Sequence, residues 1–80
     1  MLNKFIKNNK GNLVWFATSA GIFQGNVSRD EIESEKEVVI LLGSFYFTGN
    51  VRLAIGDITI IREKIVAWGT SNPAHLNTFE

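Results

Sequence analysis

Between Val38 and Ile60 the apolar residues change sides twice. Val38, Ile40 and Leu42 share one parity, and Phe45 and Phe47 take the other; Val51, Leu53 and Ile55 are odd-numbered, and Ile58 and Ile60 are even. Side chains alternate across a strand, so a strand written this way must swap the face it buries. The swaps fall near Gly43 and Gly56, and glycine at such a point admits a sharp bend or a bulge. If the two segments form a hairpin, the swaps lie side by side and the hairpin bends as one unit. The pattern therefore predicts a strongly curved antiparallel sheet rather than a flat one.

Two loops could close that hairpin. A three-residue loop, Thr48-Gly49-Asn50, sets Phe47 opposite Val51, Phe45 opposite Leu53, Ile40 opposite Ile58 and Val38 opposite Ile60. A two-residue Gly49-Asn50 loop is also a hairpin signal, but it sets Phe47 opposite Arg52 and Phe45 opposite Ala54. The apolar match favours the longer loop. The tip sequence "FTGNV" has an echo in "FQGNV" at Phe23–Val27. Either a hairpin is duplicated, or Gly49-Asn50 serves a turn while Gly25-Asn26 sits inside a bending strand.

The flanking segments supply the rest of the sheet. Leu2, Phe5 and Ile6 stand at helical spacing, and Asn8-Asn9-Lys10-Gly11 offers residues that stop a helix. A helix is expected over residues 2–9, too short to persist unless its apolar face packs on something. "LVWFAT" is aromatic and β-branched, hence a strand, and "SAG" is a turn. "IFQGNVSRD" alternates, with Phe23 and Val27 on one side. "EIESEKE" is a solvated strand end or loop. Glu63-Lys64 makes a tight connection before a last strand, "IVAWG". The reading is mainly β, one short helix and five bent strands, which suggests a small antiparallel barrel. Residues 1–70 form the domain, and 71–80, with Pro73, a tail expected to fray.

Eighty residues with 45% apolar content, six Phe and two Trp suit one globular domain. No Cys is present, so disulfides and thiolate metal sites are excluded. Eight basic and eight acidic residues give zero formal charge, which is not the footprint of a strongly basic nucleic-acid binder. The longest apolar run, "VVILL", is strand-sized, and the N-terminus has no secretory character, so a cytoplasmic protein with no membrane partner is expected.

"VWFATSAGIFQGNVSRD" and "ITIIREKIVAW" resemble the two sequence motifs of the Sm-like family, which includes Sm, LSm and Hfq proteins. In the first motif the matching positions are Gly21, Gly25 and Asp30. In the second they are Ile60-Ile61, Arg62 and Ile65-Val66. The chain departs from the pattern in a shorter glycine spacing, in lacking an Asn close after Asp30, and in Glu63 standing where a Gly follows the Arg. The resemblance spans about Leu2 to Gly69 and implies an SH3-like barrel that forms rings and binds single-stranded RNA. It implies that Arg62, Lys64, Arg29 and Asp30 face the nucleic acid, with Arg62 and Lys64 on phosphate or bases. The plainer reading makes Arg62 and Lys64 ordinary turn charges. Arg52 near the hairpin tip is weighed the same way.

No enzyme, metal or cofactor is expected. The only His is His75, so neither a His-based triad nor a two-His metal site can form within one chain. Asp30, Glu31, Glu33, Glu35 and Glu37 could hold a hard cation, but a charged edge that discourages aggregation is the simpler use. Trp15, Phe16 and Trp68 suit a core or interface better than a stacking platform. "LVWF" and "VVILL" are apolar on both faces, and another copy of the chain is the expected cover, edge strand against edge strand. The expected function is a ring-forming Sm-like module with single-stranded RNA as ligand. The alternative is a structural or protein-interaction subunit on the same barrel without nucleic acid.

Overall fold

A computed structural model describes residues 1–33 and 36–70, with side chains for 1–28 and 37–70. Helix α1 (Leu2–Asn8) is followed by strands β1 (Leu13–Thr18), β2 (Gly21–Glu33), β3 (Lys36–Thr48), β4 (Val51–Ile61) and β5 (Ala67–Gly69); one 3-10 turn, Arg62–Lys64, joins β4 to β5. All five strands belong to one antiparallel sheet in the order β4-β3-β2-β1-β5. Among the described residues β4 and β5 are its two unpaired edges, so the sheet is open.

The double swap of faces is realised as paired irregularities. The β3–β4 register slips between Leu41 and Ser44 and again between Ser44 and Phe45, where Ser44 lies opposite Gly56. Gly43 and Gly56 both take positive φ, +58° and +77°. Asp57 accepts a hydrogen bond from the Gly43 amide at 3.1 Å, tying the bend of one strand to that of the other. Ser44 is buried at the bend and donates its hydroxyl to the Leu41 carbonyl at 3.2 Å. The adjacent strand β2 has its own register slips, between Gln24 and Asn26 and between Val27 and Arg29. The curvature thus runs across three neighbouring strands.

The hairpin tip corrects the expected pairing. Thr48 lies opposite Val51 and Phe47 opposite Arg52, so the loop is the two-residue Gly49-Asn50, with Gly49 at φ +59°. A left-handed residue in so short a loop matches the twist of the strands it joins. Phe45 then faces Ala54, Tyr46 faces Leu53, Leu41 faces Ile58 and Val39 faces Ile60. The mismatch that argued against this register is met differently: the Arg52 guanidinium lies 4.9 Å from the Phe45 ring centre, over its face.

The repeated "GNV" does not mark one device used twice. Gly49 has open space around its missing Cβ and needs only its positive φ. At Gly25 the backbone is ordinary, but a Cβ would stand 2.7 Å from Ser44 Oγ and 3.0 Å from Leu41 Cβ. One glycine serves a turn, the other the close approach of β2 to the β3 bend.

The core holds Val14 and Phe16 of β1, Val27 of β2, Val39 and Leu41 of β3 and Ile60 of β4, with Ile6 and Ile65. Helix α1 packs on it as the spacing predicted. Ile6 is fully buried, Leu2 and Phe5 lie against the core, and the Phe5 ring meets Phe16 edge-on at 6.0 Å. The Asn9 side chain donates to the Phe5 carbonyl at 2.8 Å and closes the helix. The link to β1 is held along β2: Gly11 N–H donates to the Val27 carbonyl at 2.7 Å, and Val27 N–H to the Asn12 carbonyl at 3.1 Å. Tail residues 71–80 lie outside the described residues.

The two glycines separate experimentally. Gly25→Asn should lower stability by about 1–3 kcal/mol, because the packed bend must move apart. Gly49→Asn should stay within about 1 kcal/mol, since Asn tolerates the left-handed conformation at a turn. Urea denaturation of both variants checks this; equal losses would mean that Gly25 is not in close packing.

Candidate interaction surface

The apolar surface left over lies in part on the segments the sequence singled out, at Leu13 of "LVWF" and Leu42 of "VVILL", and in part on edge strand β4. Val38, Val39 and Leu41 of "VVILL" are buried within the single chain, although neighbouring positions point to opposite faces. Val51, Leu53 and Ile55 of β4 are instead 47%, 49% and 38% exposed. They carry the odd parity that precedes the Gly56 bend. Beyond it, Ile58 packs against the core and Ile60 is buried. The swap of faces therefore splits β4 into a half inside the core and a half beside it. At the other edge, just before β5, Val66 is 74% exposed. Covering such half-exposed side chains is worth about 1 kcal/mol each before ordering costs.

A groove of about 450 Å³ opens beside the inner half of β4. It is lined by Phe23, Ile58 and Ile60, by Ser19-Ala20 of the β1–β2 turn, and by Lys64. The turn is built locally. Thr18 donates its hydroxyl to the Gly21 carbonyl at 3.1 Å and accepts the Ala20 amide at 3.1 Å. The Tyr46 hydroxyl donates to the Ala20 carbonyl, and the Tyr46 ring lies 5.0 Å from that of Phe23. Sequence reading missed this groove. Its signal was present in the even parity of Ile58 and Ile60, but the β1–β2 turn that faces them is distant in sequence.

The four residues assigned to nucleic acid do not gather into one described site. Arg62 and Lys64 begin and end the 3-10 turn, yet Arg62 is buried, at 7% exposure, and Lys64 is exposed. Arg62 Nη1 stands 4.0 Å from a carboxylate oxygen of the mostly exposed Glu37. The backbones of Arg29 and Asp30 pair with Ile40 and Val39. Their side chains, and those of Glu31, Glu33 and Glu35, lie outside the described residues, as does His75. Among the described residues no group of three or more His, Asp or Glu could hold a metal, and no helix is long and apolar enough to cross a membrane.

The aromatic residues divide by strand position. Phe16 is core, Trp68 packs against it, and Phe5 lies 6.3 Å from Trp68. Trp15 points to the opposite face of β1, and its indole nitrogen is buried with no hydrogen-bond partner among the described residues. A Cβ on Gly69 would meet that indole at 2.8 Å, so the last residue of β5 lies flat against Trp15.

With this geometry in hand, comparison with models of protein families, with curated proteins and with solved structures finds no match.

Two measurements test these placements. Arg62→Ala should destabilise the fold by about 1–3 kcal/mol through lost packing, whereas Lys64→Ala should stay within about 0.5 kcal/mol. Thermal denaturation of the two variants reads the difference. Gly69→Ala should cost about 1–3 kcal/mol and loosen β5 from β1. Hydrogen exchange at the Ala67–Gly69 amides should quicken relative to that in β2.

Proposed function

We propose that the chain is an Sm-like module that assembles with copies of itself into a ring, the β4 edge of one copy pairing with the β5 edge of the next, and that the ring binds single-stranded RNA. The observation that carries this reading is the open sheet, whose edges β4 and β5 have no further partner among the described residues. One edge is an eleven-residue strand with three exposed apolar side chains, and the other has an exposed valine beside it. A free edge offers unpaired backbone groups, and two different edges on one sheet suit head-to-tail pairing that closes into a ring. The helix-first order of elements, the strand order and the single 3-10 turn before β5 support the SH3-like, Sm-like barrel. They stand beside the motif residues Gly21, Gly25, Arg62 and Ile65-Val66.

The RNA part of the reading rests on Lys64 at the exposed end of the 3-10 turn, with Arg62, Arg29 and Asp30 as the family-matched positions. Zero formal charge favours the second reading, in which the same ring presents its surface to a protein instead.

Light scattering should give a mass several times the 8.9 kDa of one chain. Leu53→Lys should return it toward one copy without unfolding the sheet. A monomer at high concentration overturns the assembly. Oligo(U) and oligo(A) should bind at low salt and weaken steeply as salt rises. Absence of binding at low salt removes the RNA half and leaves the protein-interaction module.

A further inference from the structure

Going beyond the assembly reading, and independently of it, we infer that the groove beside the inner half of β4 binds a small amphiphile, an alkyl chain that carries a carboxylate head. Its volume of about 450 Å³ falls within the range of small-ligand sites. Apolar side chains from two strands line it, Phe23 of β2 and Ile58, Ile60 and Ile61 of β4. Phe23 and Ile58 are half-buried and pack against the core, and Ile60 belongs to it, so this lining is anchored in the fold. The β1–β2 turn is fixed as well. Thr18 bonds twice within the turn, and the Tyr46 hydroxyl donates to the Ala20 carbonyl. A lining held in this way is formed before a ligand arrives, and filling it costs little ordering.

Charge selects the occupant. Lys64 is the one charged residue among the described residues that line the groove, and no carboxylate is among them. Lys64 is exposed and makes no ion pair among the described residues. Arg62, two positions earlier, is buried near Glu37 and does not line the groove. Ser19 and Thr59 add hydroxyl groups to the lining. An apolar cleft with a single exposed cation suits a ligand with an apolar body and one negative charge. The methylenes leave water, while the carboxylate meets the ammonium where both stay solvated. A nucleic-acid strand would instead bring one phosphate per nucleotide to a lining that holds one cation. The groove is also distinct from the apolar row proposed for assembly, because Val51, Leu53 and Ile55 are not among the residues that line it.

The test titrates the full chain with decanoate, below its micelle-forming concentration, and follows the methyl signals of Val, Leu and Ile by NMR. The Ile58, Ile60 and Ile61 methyls should shift and saturate, while those of Val51 and Leu53 stay in place. Octanoate should bind more weakly than decanoate, by roughly two- to fourfold per methylene lost. Decyltrimethylammonium has the same chain and the opposite charge. It should bind at least about tenfold more weakly than decanoate, the worth of one charged hydrogen bond. Lys64→Glu should reverse that preference and leave the urea midpoint unchanged. Shifts at Val51 and Leu53 as large as those in the groove, or shifts that never saturate, mean adsorption to exposed apolar side chains and overturn the site. Equal affinity for the two head groups, or a Lys64→Glu variant that keeps the parent's preference, overturns the choice of ligand. Light scattering of the same samples reads the assembly separately: a monomer that binds decanoate keeps this inference and loses the ring.

Discussion

The structure depends on two bends held together. At Gly43 and Gly56, neighbouring strands leave regular pairing at the same level, and the Asp57 side chain ties one bend to the other. A hairpin that bent in only one strand would lose its ladder; bending both preserves pairing on each side. The result is a hairpin that belongs to the core along its inner half, through Val39, Leu41 and Ile60, and stands out from it along the other, through Val51 and Leu53.

That division links fold to surface. The inner half, with Phe16, Ile6 and Ile65, makes a core large enough for so small a chain to fold around, capped by α1. In the outer half Phe47 of β3 is buried, but Val51, Leu53 and Ile55 of β4 stay exposed, on a strand whose outer edge has no partner among the described residues. An exposed, apolar, unpaired edge of this length is a liability unless something pairs with it. The groove lies between the part of β4 beyond the bend and the β1–β2 turn. The exposed side chains thus follow from the bend, and the free edge beside them from the order of the strands.

The basic residues divide along the same physical line. Arg62 and Lys64 share a three-residue turn, yet one is packed and the other exposed. A short 3-10 turn points successive side chains in different directions, so proximity in sequence does not put two cations on one surface. Arg62 is buried and sits near Glu37, and Lys64 is exposed.

Much of this was legible in the residues alone. The i, i+3, i+4 spacing of Leu2, Phe5 and Ile6 fixed the helix and its buried face, and the parity swaps located both bends, because helical and strand periodicities are local properties. The loop at Gly49-Asn50 was not settled that way. Matching apolar partners across the hairpin favoured the wrong register, since turn geometry and a cation over the Phe45 ring outweighed the match. Nor could the sequence say which of its two-faced apolar runs would be covered. "VVILL" lies in a strand flanked by β2 and β4 and is largely buried, whereas Val51, Leu53 and Ile55 lie at an edge. Pattern along the chain determines which face a side chain takes; only the order of strands in the sheet, a long-range property, decides whether anything is there to meet it.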